Sequence, residues 1–201
     1  MILSNKLGIT DSVELAREEE RRSKKKALEL FESGYLDKLE AGSLQALAEI
    51  HCYLFSEIYE FAGVVRDVNL AKGNFRFAPV MYLKPALDNI EAMPQSSFDE
   101  IIEKYVEMNI AHPFREGNGR SMRIWLDLML KKELKKAVDW SKVDKNDYLL
   151  AMERSPIKDI EIKHILREEL TDEIASREMY MKGIDASYSY EGYTVYKTEE
   201  L

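Results

Sequence analysis

AHPFREGNGRSMR, residues 111–123, joins two apolar helical patterns through a short polar turn. A proline disfavours helical geometry in the residue before it, so Pro113 should end an incoming helix at His112. The run from 118 to 135 then places Met122, Ile124, Trp125, Leu126, Leu128, Met129 and Leu130 around most of a helix circumference. Such a helix is buried and central rather than a surface element. Its start is a place for an anion, because the first amide groups have no helical partner and the dipole favours negative charge there. Gly117 and Gly119 let the backbone approach that anion without an intervening Cβ.

The charged residues of the stretch fit the same chemistry. Arg120 and Arg123 are three apart on the first turn, so both guanidinium groups can reach one polyanion. Glu116 is placed to hold a hard cation such as Mg²⁺ between phosphate oxygens. His112 can take a proton near neutral pH. Arg115 has no fixed direction in the loop and reads as a surface charge. Anion cradle, cation, arginine clamp and base are the components of phosphoryl-transfer chemistry. Arginines at the mouth of a buried helix also require an anionic partner.

Outward from this stretch the chain reads as all-α. Residues 97–111 carry Ile101, Ile102, Tyr105, Val106 and Ile110 at helical spacing, and residues 43–61 do the same with Leu44, Leu47, Ile50, Leu54, Ile58 and Phe61. A helix is expected over 11–33, where the block REEERRSKKK (17–26) reads as a solvated face of mixed charge. Pro85 should open a short helix that Pro94 stops. Further helices fit 146–154, 159–176 and 177–191. The exception is 64–83, where Lys72-Gly73-Asn74 resembles a turn between Phe75, Phe77 and other extended residues, predicting a short hairpin or flap.

Bulk properties narrow the classes. The 201 residues suit one domain spanning 1–201, with 45% hydrophobic residues for its core. A net charge of -8 leaves no cation excess for a broad nucleic-acid surface. The single Cys52 excludes an internal disulfide and a cysteine zinc site, and its neighbours suggest a core thiol. No apolar run approaches a membrane span, and the start MILSNKLGIT is not a secretory signal, so a cytoplasmic protein is expected. His51 and His164 lack metal-ligand spacing and read as structural.

The residues His112-x-Phe114-x-Glu116-Gly117-Asn118-Gly119-Arg120-x-x-Arg123 match the signature H-x-F-x-[D/E]-G-N-G-R-x-x-R of the Fic (filamentation induced by cAMP) family at every specified position. IHCYLFSEIYEFAGVVR (50–66) also resembles that family's helix before its flap. The resemblance covers roughly 43–140. It implies a helical bundle around a central buried helix with a short β-hairpin flap. It also implies an enzyme of bacterial type that moves AMP from ATP to a hydroxyl side chain (Tyr, Ser or Thr) of a target protein, releasing pyrophosphate. Carried over, His112 deprotonates the hydroxyl, Phe114 anchors the loop and Glu116 binds Mg²⁺. Gly117, Asn118 and Gly119 surround the phosphates, with Asn118 near the α-phosphate, and Arg120 and Arg123 hold the β and γ phosphates. Lys72, Gly73, Asn74, Phe75, Arg76 and Phe77 correspond to the hairpin that docks a target segment by strand addition. Gly119 favours nucleotide transfer, since a phosphorylating branch carries lysine there.

At the far end, Ser187-Tyr188-Ser189-Tyr190-Glu191-Gly192 puts Ser187 and Glu191 on one helix face. Given the resemblance, this matches the family's inhibitory motif [S/T]-x-x-x-E-[G/N], placed at the C-terminus as in its small class III members. Residues 177–201 would be an inhibitory helix and tail, with Glu191 pairing with Arg123 in place of the γ-phosphate. In some relatives the same glutamate supports AMP removal with another divalent cation, so a bifunctional or de-AMPylating enzyme is the alternative; a non-catalytic nucleotide-binding module is a further one. Five of the 11 tyrosines lie in the last 22 residues. They either pack the terminal helix or, as with Tyr188 and Tyr190, are self-modified. The target protein is not named by the sequence, and self-association into a homo-oligomer is an expectation from small relatives.

Overall fold

The computed structural model describes residues 2–73 and 75–201; Asn74, one of the expected flap residues, lies outside them. Helix α1 (Ser12–Glu32) starts where Asp11 accepts from the amides of Val13 and Glu14, a side-chain cap that satisfies two orphan donors. Helix α2 (Leu44–Phe55) is capped in the same way by Ser43. Strands β1 (Ala71–Lys72) and β2 (Phe75–Arg76) form a minimal antiparallel hairpin with Lys72 opposite Phe75. Then come α3 (Val80–Glu91), α4 (Phe98–Ala111) and α5 (Asn118–Leu134). Helix α4 carries a capping box between Ser97 and Glu100.

The all-α expectation with a short hairpin holds, and α5 is the central helix. Met122, Trp125, Leu126, Met129 and Leu130 of α5 are fully buried, and the Trp125 indole donates to the Ser43 carbonyl at 3.0 Å. The second half adds α6 (Lys145–Arg154), α7 (Ile160–Glu168) and α8 (Arg177–Ser189). A second two-stranded ribbon, β3 (Ala137–Val138) with β4 (Leu170–Thr171), was not expected. It cuts short the helix read over 159–176. No helix among the described residues is long and apolar enough to cross a membrane.

Three sequence expectations need correction. Helix α3 begins at Val80, ahead of Pro85, which sits inside it; the Asn69 carboxamide accepts from the Val80 amide and starts the helix early. Cys52 is exposed, not a core thiol, because α2 turns Ile50, His51 and Leu54 inward instead. The charged block of α1 is a solvated face only in part, with Arg17 and Lys25 exposed and Glu18 pairing with Arg21 and Arg22. Glu19, Glu20, Ser23 and Lys24 are buried, covered by Arg120 from α5 and by the C-terminal tail.

Candidate active site

Helix α4 stops at His112, whose backbone is left-handed at φ 51°. The next residues turn into α5, with Gly117 as its left-handed N-cap at φ 77°. A Cβ at Gly117 would come within 2.4 Å of the Phe55 ring, so the turn requires glycine for space as well as conformation. Asn118 closes the loop with its own side chain. Its carboxamide accepts from the Phe114 amide at 2.9 Å and donates to the Phe114 carbonyl at 2.7 Å. The Asn118 side chain thus shapes the loop that opens α5.

Phe114 is fully buried, as an anchor should be, and its ring stacks on His51 at 3.9 Å. His51 itself belongs to the site's framework. The Gly63 amide donates to Nδ1 at 2.9 Å, so Nε2 carries the proton and donates to the Glu116 carbonyl at 2.7 Å. Burial pulls its pKa down to about 4, which keeps the ring neutral and this tautomer fixed.

His112 lies with its ring 3.6 Å from that of Phe77, nearly parallel at 15°. The hairpin therefore touches the candidate base directly. Burial is the main cause that lowers the His112 pKa to about 4, with the positive charges of Arg66 and Lys72 adding to it and Glu191 opposing it. The imidazole is neutral at physiological pH, the state a proton acceptor needs. Its Nδ1 is buried without a hydrogen-bond partner among the described residues.

The two motif arginines converge, but on protein carboxylates. Arg123 donates from Nε to the Ser187 hydroxyl at 2.6 Å and from one terminal nitrogen to the Ser187 carbonyl at 2.8 Å and to Glu191 Oε1 at 2.9 Å. Arg120 is shared by three acids: Glu19 at 2.6 Å, Glu116 at 3.0 Å and Glu191 at 2.7 Å. The contact of Arg120 Nε with Glu191 is close without a directed hydrogen bond, and that N–H has no hydrogen-bond partner among the described residues. Glu191 thus pairs with both arginines, where Arg123 alone was expected. Burial favours its protonated form, yet the two guanidinium groups outweigh that and hold its pKa below the usual value.

Glu19 was not legible as a site residue. It receives the Tyr59 hydroxyl and, at 2.7 Å, the Tyr193 hydroxyl while gripping Arg120. Arg115 is a surface charge as expected, paired with Asp67. Glu116 keeps a 40% exposed side chain, the only carboxylate of the motif facing outward. Partial desolvation beside α5 raises its pKa, with the charge of Arg120 opposing it. Among the described residues no group of three potential ligands could hold a metal by itself. A single carboxylate fits Mg²⁺ in the way that ion is commonly held, with substrate phosphates completing its shell. Tyr188 and Tyr190 are both buried. Tyr190 donates to the carbonyls of Trp140 and Val143, so neither hydroxyl is presented for modification in this arrangement.

The model of the Fic/DOC family matches residues 41–130. Protein adenylyltransferase VbhT of Bartonella schoenbuchensis is 30% identical over 159 residues, which are 73% of this chain and 32% of VbhT. Probable protein adenylyltransferase y4lH of Sinorhizobium fredii is 30% identical over 166 residues, covering 77% of this chain and 83% of y4lH. The chain therefore spans about a third of the first relative and most of the second. Among solved structures, BepC of Bartonella tribocorum with bound AMPPNP aligns at a TM-score of 0.68 and 20% identity, over 85% of this chain and 93% of that one. The ADP-bound N-terminal Fic domain of a Bartonella quintana effector does so at 0.68 and 20%, over 84% and 90%.

Proposed function

The chain belongs to the Fic/DOC family, and from that premise we propose that it is a protein adenylyltransferase held in check by its own C-terminus. The observation that carries the proposal is the Glu191 carboxylate lodged between Arg120 and Arg123 beside the start of α5. A carboxylate is a local substitute for phosphate oxygens, so the place it occupies suits the terminal phosphates of ATP. The arrangement of Ser187 and Glu191 fits the small class III type.

In the reaction, a target hydroxyl attacks the α-phosphorus of ATP in line with the bond to the β-phosphate. A new P–O bond forms, the bond to the β-phosphate oxygen breaks and pyrophosphate leaves. His112, kept neutral by burial, accepts the hydroxyl proton. The first amides of α5 and the guanidinium groups of Arg120 and Arg123 neutralise the charge on the phosphates. Glu116 would hold Mg²⁺, which supplies further neutralisation when bound. The hairpin of Lys72 to Phe77 receives the target. Use of ATP as the donor fits a cytoplasmic enzyme.

A second reading is that the same site removes AMP by directing water, with Glu191 as a helper and another divalent cation in place of Mg²⁺. The position of Glu191 inside the site favours keeping it. The test is transfer of label from α-labelled ATP to protein in a lysate, with Mg²⁺. Replacing Glu191→Gly should raise transfer by roughly 10- to 100-fold, the equivalent of a charged hydrogen-bonded contact. His112→Ala should abolish it while ATP binding persists. No gain in the Glu191 variant removes the inhibitory role. No label with any variant removes the adenylyltransferase.

A further inference from the structure

Arg66 lies outside the motif, between α2 and the hairpin, and is 4% exposed. No acidic side chain pairs with it among the described residues, and burial lowers its pKa. Desolvating a guanidinium is expensive unless its donors are met, and here backbone oxygens meet them. Nε donates to the His112 carbonyl at 2.7 Å, and one terminal nitrogen to the Val68 carbonyl at 2.6 Å. The other donates to Ala78 at 2.6 Å and to Ala111 at 3.0 Å. The Arg66 amide itself donates to the Pro113 carbonyl at 2.7 Å.

These acceptors fall into two groups. Ala111, His112 and Pro113 are the helix end that carries the base. Val68 and Ala78 are the two ends of the segment that bears β1 and β2. One rigid, planar fork therefore fastens the mouth of the hairpin to the backbone of His112. The same junction is reinforced by the Ala78 amide, which donates to the Ile110 carbonyl at 3.0 Å, and by the stacking of Phe77 on the imidazole. A left-handed, non-glycine backbone at His112 is strained by about 1–3 kcal/mol and persists only where its surroundings fix it. Arg66 supplies that constraint at the carbonyls on both sides of the His112 Cα. It makes no contact with Arg120, Arg123 or the first turn of α5 among its hydrogen bonds.

We propose that Arg66 is a positioning residue for the transfer step, locking the hairpin that receives the target to the histidine that takes the target's proton. It forms no bond with substrate and moves no proton. Its role rests on the adenylyl-transfer reading above, and it is separable from nucleotide binding because its donors serve the acceptor side of the site alone.

The test is made in the full chain carrying Glu191→Gly, measuring initial rates of label transfer from α-labelled ATP to the proteins of one lysate across an ATP titration. Arg66→Lys keeps the charge, but an ammonium cannot span both groups of carbonyls. The apparent kcat should fall by about 10- to 100-fold, as small misplacements of reacting groups do, with KM for ATP within about twofold. Arg66→Met should fall further, giving the order Arg, Lys, Met; if circular dichroism shows the Met variant unfolded, the Lys variant decides alone. An unchanged kcat in Arg66→Lys, or kcat and KM moving together, overturns the positioning role while leaving adenylyl transfer intact. A Glu191→Gly parent that transfers no label overturns both.

Discussion

A Cβ built on Gly119 stands 2.4 Å from Oε1 of Glu191 and 2.9 Å from a terminal nitrogen of Arg123. The glycine in the motif is therefore fitted to the inhibitory carboxylate as well as to an incoming phosphate. The missing Cβ that lets a phosphate approach Gly119 is also what lets Glu191 and Arg123 meet beside it.

Gly119→Ala should consequently destabilise the wild-type fold by about 1–3 kcal/mol through overpacking. In a Glu191→Gly background the closest obstruction is gone while Arg123 stays near, so the same substitution should cost clearly less. Chemical denaturation of the four proteins gives the coupling between the two positions. Additive effects would show that Gly119 and Glu191 do not meet in solution.

The tail is held down by a buried charge cluster. Lys24, 1% exposed, lies 3.0 Å from both Glu20 and Asp185 and donates to the Tyr196 carbonyl. Glu20 in turn accepts from the amides of Val195 and Tyr196, and Asp185 from the amide and hydroxyl of Thr198. Lys24→Met should cost about 3–5 kcal/mol, because it removes the counter-charge of the buried Glu20 and of its neighbour Asp185. Thermal unfolding measures the loss, and a change below 1 kcal/mol would argue that the tail does not rest on α1.

His112, as the proposed base, should set the acid limb of catalysis. Burial lowers its pKa to about 4, so the neutral base is present at all pH values above that. In the Glu191→Gly enzyme, kcat/KM should stay level from pH 8 to 6 and fall only well below. An ordinary histidine would lose half its activity near 6.5. A measured midpoint at or above 6 contradicts the buried, neutral imidazole.

Asp127, one turn beyond Arg123 in α5, has its pKa raised to about 7 by burial, although it accepts from the Val138 amide and the Trp140 indole. The native state then holds a proton that the unfolded chain loses near pH 4. Stability contributed by that proton is full below pH 4 and declines as pH rises to about 7, with a total on the order of 4 kcal/mol. Melting temperatures of wild type and Asp127→Asn between pH 5 and 8 test this: the variant should flatten the slope. Parallel slopes would mean that Asp127 is already charged at pH 5.

Local pattern carried much of this protein. Periodic apolar residues located α4 and α5, and Pro113 with Gly117 placed the turn between them, because helix spacing and backbone sterics act over a few residues. The motif residues His112, Glu116, Arg120 and Arg123 could be named from types and spacing, whereas the distant pair Ser187 and Glu191 was named only through the family resemblance. What tertiary structure decided was the company each charge keeps. Glu19, Glu20 and Lys24 have the pattern of a solvated face, yet they are buried because Arg120 and the 193–198 segment fold over them from the other end of the chain. Arg66 and His51 bind backbone carbonyls and amides, partners that leave no side-chain signature at any spacing. Whether a charge is solvated, paired or trapped is settled by desolvation, and desolvation depends on segments that meet only once the chain has folded.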